Sequence, residues 1–175
     1  MHVPLSLPES DFEVFIRERA TELFRLAVVL TGDLTAGEDL LQAVLEKVYA
    51  RWSAGHPPDN PDAYTRTALV HAARRLWRRR SADRELLVSE PPETAMGDAG
   101  TDDLLRVALL HVLATLPLRQ RAVIALRYLE DRSEAETASI LGCSVGTVKT
   151  HAHRALRRLR AEPMLAGYLD PVLEA

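Results

Sequence analysis

Between Ser144 and Arg160 the chain carries Lys149, Arg154, Arg157, Arg158 and Arg160, five basic residues with no acid among them. Between Thr67 and Arg84 it carries six arginines against one acid, Asp83. These two segments hold eleven of the 22 lysines and arginines, although the whole chain has a formal net charge of −3. Local patches therefore decide what the chain can bind, and these two are built for a polyanion. Lysine and arginine neutralise phosphates, while small polar side chains at a helix start reach base edges. In the second segment Ser144, Thr147, Thr150 and His151 stand beside the basic residues Lys149, Arg154 and Arg157. The helix that contains the first segment interleaves rings with cations: Tyr64, Arg66, His71, Arg74, Arg75, Trp77 and Arg78. Such a mixture suits unpaired bases, which stack on rings while guanidiniums follow the backbone. The bland alternatives are a solvated basic face and, for Tyr64 and Trp77, ordinary core aromatics.

Other chemistry finds little footing. Cys143, His151 and His153 match no common zinc spacing and lack a fourth ligand. A single cysteine forms no internal disulfide, in keeping with a reducing compartment. A nucleophile elbow, a P-loop, a dinucleotide fingerprint and a zincin helix are all missing. The acids of Asp98–Asp103 lie in a glycine-containing stretch without the rigid geometry a nuclease metal pair needs. The chain reads as a binding protein, not an enzyme, with no cofactor and no metal.

The elements that must position the basic segments are helices. Phe12, Phe15, Ile16, Ala20, Leu23, Phe24, Ala27 and Leu30 recur at spacings of three and four, so Asp11–Leu30 forms an amphipathic helix ended by Thr31-Gly32-Asp33. Thr35 and Glu38 have capping-box spacing and open a second helix, whose apolar stripe runs Leu40, Leu41, Val44, Leu45, Val48, Trp52. Its other face carries Glu38, Asp39, Gln42, Glu46, Lys47 and Arg51. Ser53–Asn60 is a loop, and Asn60-Pro61 starts a third helix, Pro61–Arg80. From Ala82 to Asp103 periodicity gives way to Glu, Pro, Gly, Asp and Ser, the composition of a flexible linker.

Beyond it, Asp102 or Asp103 caps a helix through Leu116, and Pro117 starts another, Leu118 to about Tyr128. Ser133 and Glu136 repeat the capping box ahead of a short helix closed by Gly142; Ser144 caps a last helix, Val145–Arg160. A short capped helix, a glycine turn and a basic second helix form a helix-turn-helix, whose second helix enters the major groove. Val148, Ala152, Ala155, Leu156 and Leu159 make its inner stripe. Apolar residues at 47% and charged residues at 27% fit a soluble globular chain. The longest apolar stretches are too short for a membrane span, and no signal-peptide layout opens the chain, so a cytoplasmic location is expected.

The blocks GEDLLQAVLEKVYARW, PDAYTRTALVHAARRLWRRR and LPLRQRAVIALRYLEDRSEAETASILGCSVGTVKTHAHRALRRLR resemble the extracytoplasmic-function (sigma-70-type, group IV) RNA polymerase sigma factors, in particular the actinobacterial SigE-like subgroup. The resemblance spans roughly Phe12 to Arg160. It implies an all-α protein of two small helical domains: region 2 over 1–82, a linker over 83–103, region 4 over 104–162, then a short tail over 163–175. It implies core RNA polymerase and promoter DNA as partners, an anti-sigma factor as a further one, and neither membrane insertion nor a small-molecule substrate. By matching position, Asp39, Gln42, Glu46 and Lys47 face the polymerase. Tyr64, Arg66, His71, Arg74, Arg75, Trp77 and Arg78 meet the −10 element and assist strand opening. Ser144, Thr147, Lys149, Thr150, His151, Arg154 and Arg157 read or grip the −35 duplex. His71 stands where many relatives carry asparagine. The acidic linker (Glu85, Glu90, Glu93, Asp98, Asp102, Asp103) reads either as a nucleic-acid mimic or as a solvated tether. Taken from the residues alone, a stand-alone helix-turn-helix regulator with an N-terminal dimerisation or effector domain stays open.

Overall fold

The computed structural model describes residues 11–84 and 109–162, all of it helix and turn with no strand among the described residues. The expected linker beyond Arg84, the cap at Asp102 or Asp103 and the C-terminal tail lie outside the described residues. Helix α1 (Asp11–Thr31) and helix α2 (Leu34–Ser53) pack along each other, and α3 (Pro61–Arg84) lies against both. Leu23, Leu26, Ala27 and Leu30 of α1, Leu40, Val44 and Val48 of α2, and Leu69 and Ala73 of α3 are all buried, as their spacing requires. At the other end of the α1–α2 pair Phe12 and Phe15 close on Trp52, with ring centroids 5.5 and 6.0 Å apart.

The turn between α1 and α2 departs from the expected capping box. Helix α2 starts one residue ahead of Thr35, and Asp33 is the cap: its carboxylate accepts the Ala36 N–H at 2.7 Å. Gly32 turns the chain at φ 78°, which puts Asp33 in extended backbone directly ahead of the helix and leaves Thr35 inside the first turn. The third helix starts as the Asn60-Pro61 pair dictates, with the Asn60 side chain accepting the Ala63 N–H at 2.9 Å. It runs one turn further than its apolar pattern, to Arg84.

The second half comprises α4 (described over 109–115), α5 (Leu118–Ile124), α6 (Glu134–Leu141) and α7 (Val145–Arg160). Helix α5 continues into a π-helical turn, Ala125–Leu129, in which the Glu130 N–H reaches back to the Ala125 carbonyl at 3.1 Å. The wider turn and the left-handed Asp131 at φ 50° swing the following residues, Glu130 to Arg132, towards α3. The main core is common to both halves. Leu23, Leu30, Val48 and Leu69 belong to the same buried cluster as Leu113, Leu116, Ile124, Leu126, Ile140 and Leu159. Two helical units are thus docked face to face, α1 against α5 and α3 against α6.

Gly37 sets the approach of α2 to α1. A Cβ there would stand 2.7 Å from Val28 Cγ2, 2.8 Å from Val28 Cα and 2.9 Å from Val28 N, and two of those three atoms are backbone. Gly37→Ala is expected to lower stability by about 1–3 kcal/mol through overpacking, despite the better helix propensity of alanine. Denaturant unfolding followed by circular dichroism measures it, and an unchanged midpoint would mean that the two helices part without loss.

Candidate nucleic-acid and polymerase interface

Helices α6 and α7 form the helix-turn-helix as expected. Ser133 accepts the Glu136 N–H at 3.2 Å while the Glu136 carboxylate accepts the Ser133 N–H at 2.8 Å, a complete capping box. These bonds hold the Glu136 carboxyl below the usual carboxylate range. Gly142 closes α6 in the left-handed region, at φ 60°, and Ser144 caps α7 by accepting the Thr147 N–H at 3.1 Å. Val123, Ala138 and Val148 form a small separate core beneath the turn, with half-buried Leu141, Cys143 and Ala152 against it. Val148, Ala155 and Leu159 are buried, and Lys149, Thr150, Arg154, Arg157 and Arg158 are exposed on the opposite side of α7. Ser144 is exposed; Thr147 and His151 are half-buried. Lys149 Nζ lies 3.5 Å from Glu134, an exposed pair that a phosphate can displace.

On α3 the expected residues divide. His71, Arg74, Arg75 and Arg78 are exposed, and Tyr64 is 39% exposed with the Arg51 guanidinium 5.2 Å from its ring centre. Trp77 is half-buried: its indole N–H donates to the Leu30 carbonyl at 3.2 Å, and the Arg121 guanidinium lies 5.0 Å from its ring centre. Arg66 departs from the expected DNA contact. Its side chain has no solvent exposure and sits among three carboxylates: Asp62, Glu130 at 2.5 Å and Glu22 at 3.1 Å. A guanidinium so enclosed is unavailable to a phosphate in this arrangement. On α2, Asp39, Gln42, Glu46 and Lys47 are exposed together along one side, opposite Leu40, Val44 and Val48.

A cleft of about 490 Å³ separates α3 from the second half, lined by His71, Arg74, Trp77 and Arg78 on one wall and Leu118, Arg119, Cys143 and His151 on the other. Its charged lining is wholly basic. Sequence reasoning missed Arg121, packed on the Trp77 ring, which is 1% exposed and donates to the carbonyls of Leu30 (3.0 Å), Ala114 (2.6 Å) and Leu116 (3.0 Å). Burial pulls its guanidinium down to about 10, so it stays charged at neutral pH. The only available signal was an arginine heading the apolar run Ala122–Leu126. Among the described residues no group of three or more His, Cys, Asp and Glu side chains could hold a metal ion, and no helix is long and apolar enough to cross a membrane.

Residues 106–159 match the family model of sigma-70 region 4. The chain is 40% identical over 160 residues to the RNA polymerase sigma-E factor of Streptomyces coelicolor, covering 91% of this chain and 89% of that one. It is 34% identical to the ECF RNA polymerase sigma factor SigL of Mycobacterium tuberculosis, covering 82% and 83%. The chain belongs to the extracytoplasmic-function sigma factors of RNA polymerase. That family is one of initiation factors and not a class of enzymes. Two solved structures share the fold. The sigma factor RpoE in complex with the anti-sigma factor NepR from Bartonella quintana aligns at TM-score 0.73 and 26% identity, over 89% of this chain and 97% of that one. CnrH in complex with the cytosolic domain of CnrY aligns at TM-score 0.61 and 25% identity, over 90% and 88%. The helix-turn-helix of this sigma factor is thus the second half of region 4.

His151 faces the cleft from α7 with its Nδ1 buried and unbonded. Burial first, then the charges of Arg119 and Arg154, hold its imidazole below the ordinary histidine range. The folded state therefore binds this proton more weakly than the unfolded chain. The resulting stabilisation is present above the ordinary histidine pKa and is lost as pH falls through it towards the lower folded value. A titration followed by NMR is expected to place the His151 midpoint below that of free histidine. Arg119→Ala should raise it partway, burial being unchanged; a midpoint at the free value would mean that the cleft is open to water.

Proposed function

We propose that this sigma factor directs core RNA polymerase to specific promoters and assists strand opening there, by binding alone and without covalent chemistry, cofactor or metal. The observation that carries the reading is the placement of three polar surfaces on three different helices. The start of α7 offers a duplex exposed Ser144, Lys149 and Thr150, with half-buried Thr147 and His151 beside them, where side chains reach base edges. Arg154 and Arg157 follow, placed for phosphates. That surface takes the −35 element. Helix α3 presents Tyr64, His71, Arg74, Arg75, Trp77 and Arg78 to the −10 element, where rings capture unstacked bases and arginines follow the strand. Arg66 joins this set only once its carboxylates are withdrawn. Asp39, Gln42, Glu46 and Lys47 on α2 meet the polymerase.

The working division is region 2 over 1–82, a linker over 83–103, region 4 over 104–162 and a tail over 163–175. The site of action is the cytoplasm. An anti-sigma factor is the expected regulator, since the similar sigma factor RpoE was solved in complex with one, NepR.

The reading is tested by capture of core RNA polymerase with the purified chain, followed by run-off transcription from a genomic promoter library. Promoter-selective transcripts that depend on the chain are expected. Absence of core binding together with tight duplex binding by the chain alone would instead indicate a stand-alone helix-turn-helix regulator. Lys149→Ala should weaken promoter binding by the holoenzyme by about 1–3 kcal/mol and leave core binding unchanged. Asp39→Arg should do the reverse, because it inverts a charge on the polymerase face; a Lys149→Ala defect in core capture would overturn the division of labour.

A further inference from the structure

The cleft of about 490 Å³ has an aliphatic interior and a cationic mouth. Val70 of α3 lines it together with Leu118 and Ala122 of α5 and Leu141 of α6. Its charged lining is Arg74 and Arg78 from α3 and Arg119 from α5, with His71 and His151 beside them and no acid. The four aliphatic residues are buried or half-buried and the three arginines are exposed, so the charge stands outside the apolar surface. Among the described residues no carboxylate pairs with Arg74, Arg78 or Arg119. His151 adds a buried Nδ1 that no described group meets. Burial, and then the charges of Arg119 and Arg154, hold its imidazole below the ordinary range, so positive potential reaches inward from the mouth.

A mainly apolar cavity of roughly 300–1,000 Å³ with a few placed polar groups is the usual form of a small-molecule site. The lining then selects among anions. Inorganic phosphate would satisfy the arginines and leave the aliphatic walls against water. A nucleic-acid strand brings flat bases, for which the cleft has one ring, Trp77, against four aliphatic side chains. A run of methylenes ended by a carboxylate answers both parts, burying its chain below and pairing with guanidiniums above.

We propose that this cleft binds an acyl carboxylate of medium length, its head on Arg74, Arg78 and Arg119 and its tail on Val70, Leu118, Ala122 and Leu141. The site draws on both halves of the chain, since Arg119 and three of the four aliphatic residues come from the second. It does not depend on what α3 does at a promoter.

The full-length protein carries two tryptophans, Trp77 in the cleft and Trp52 in the aromatic cluster with Phe12 and Phe15. Their indole N–H signals in NMR spectra therefore separate binding in the cleft from binding elsewhere. Acetate, octanoate, decanoate and laurate are titrated at constant ionic strength, each below the concentration at which it forms micelles. Laurate is expected to move the Trp77 signal saturably and to leave Trp52 unmoved. From octanoate to laurate the affinity should rise about tenfold for each two methylenes added, a buried CH2 being worth roughly fourfold. Arg119→Ala should weaken laurate binding about tenfold. Arg119 is exposed and holds no hydrogen bond or ion pair among the described residues, so its loss spares the fold, as circular dichroism checks. A Trp77 signal that laurate leaves in place would overturn the site, and so would one that acetate and laurate move alike, which marks a bare patch of charge. Joint movement of both indole signals, the mark of binding without a site, overturns it as well. The chain-length series needs no variant, and an Arg119→Ala protein of normal helicity and unaltered affinity would remove the head-group pairing and the proposal with it.

Discussion

The closed arrangement depends on one buried guanidinium. Helix α1 ends at Thr31 with its last carbonyls turned inward, where no water reaches, and a helix end buried without partners is costly. The Thr31 hydroxyl and the Gly32 N–H serve Ala27 and Val28, and the Trp77 indole and Arg121 together serve Leu30. Arg121 satisfies Leu30 from the first half together with Ala114 and Leu116 from the end of α4. A charge in that position is tolerable because its bonds go to fixed carbonyl dipoles and its face lies on the Trp77 ring. Gly32 belongs to the same constraint. A Cβ on it would stand 3.0 Å from that of Ala114, so the α1–α2 turn must be bare for α4 to reach the carbonyls that Arg121 ties together.

Around this pin the apolar and the charged contacts between the halves do different work. The shared core of Leu30, Leu116, Ile124 and their neighbours supplies adhesion without direction, at roughly 25 cal/mol for each Å² of apolar surface removed from water. The ring of Asp62, Arg66, Glu130 and Arg132 adds little net adhesion, since desolvation offsets much of its attraction. Its contribution is directional instead: Glu130 meets Arg66 and Arg132 meets Asp62 across the two halves. The π-helical turn and the left-handed Asp131 are what place Glu130 and Arg132 there, and a plain α-helical end to α5 would aim them elsewhere.

Most of the fold was legible because its signals are local. Caps at Asn60, Ser133 and Ser144, the glycine at 142 and the spacing of apolar residues on α1, α2 and α7 each involve partners within four residues, and all stand where the sequence put them. The α2 cap was misjudged by two residues because Thr35 and Asp33 both suit the role, and only the turn at Gly32 selects between them. The exposed faces of α2 and α7 follow directly from helical periodicity. Arg66 does not. Nothing within its own helix says that a carboxylate 64 residues away will enclose it, nor that Arg121 will cap a helix 91 residues earlier. Contacts between the halves are set by tertiary packing, and a residue's type gives only its capacity for them.

The helix-turn-helix escapes this dependence, and that has a consequence for how the chain works. Its turn has a small core of its own in Val123, Ala138 and Val148, and its three caps are closed within α6 and α7. Its turn geometry is therefore set locally, although Ile140 and Leu159 also join the core shared with the first half. Helix α3 differs, because its Arg66 and Trp77 are held by groups from other helices, Arg66 by Glu22 and Glu130 and Trp77 by the Leu30 carbonyl and Arg121. Separating the halves uncovers part of the shared apolar core, which water opposes and a partner laid over that surface favours. A partner shifts the equilibrium only by the difference in its affinity for the two forms. A partner laid over the uncovered core therefore favours separation, and one that spans both halves favours the docked form.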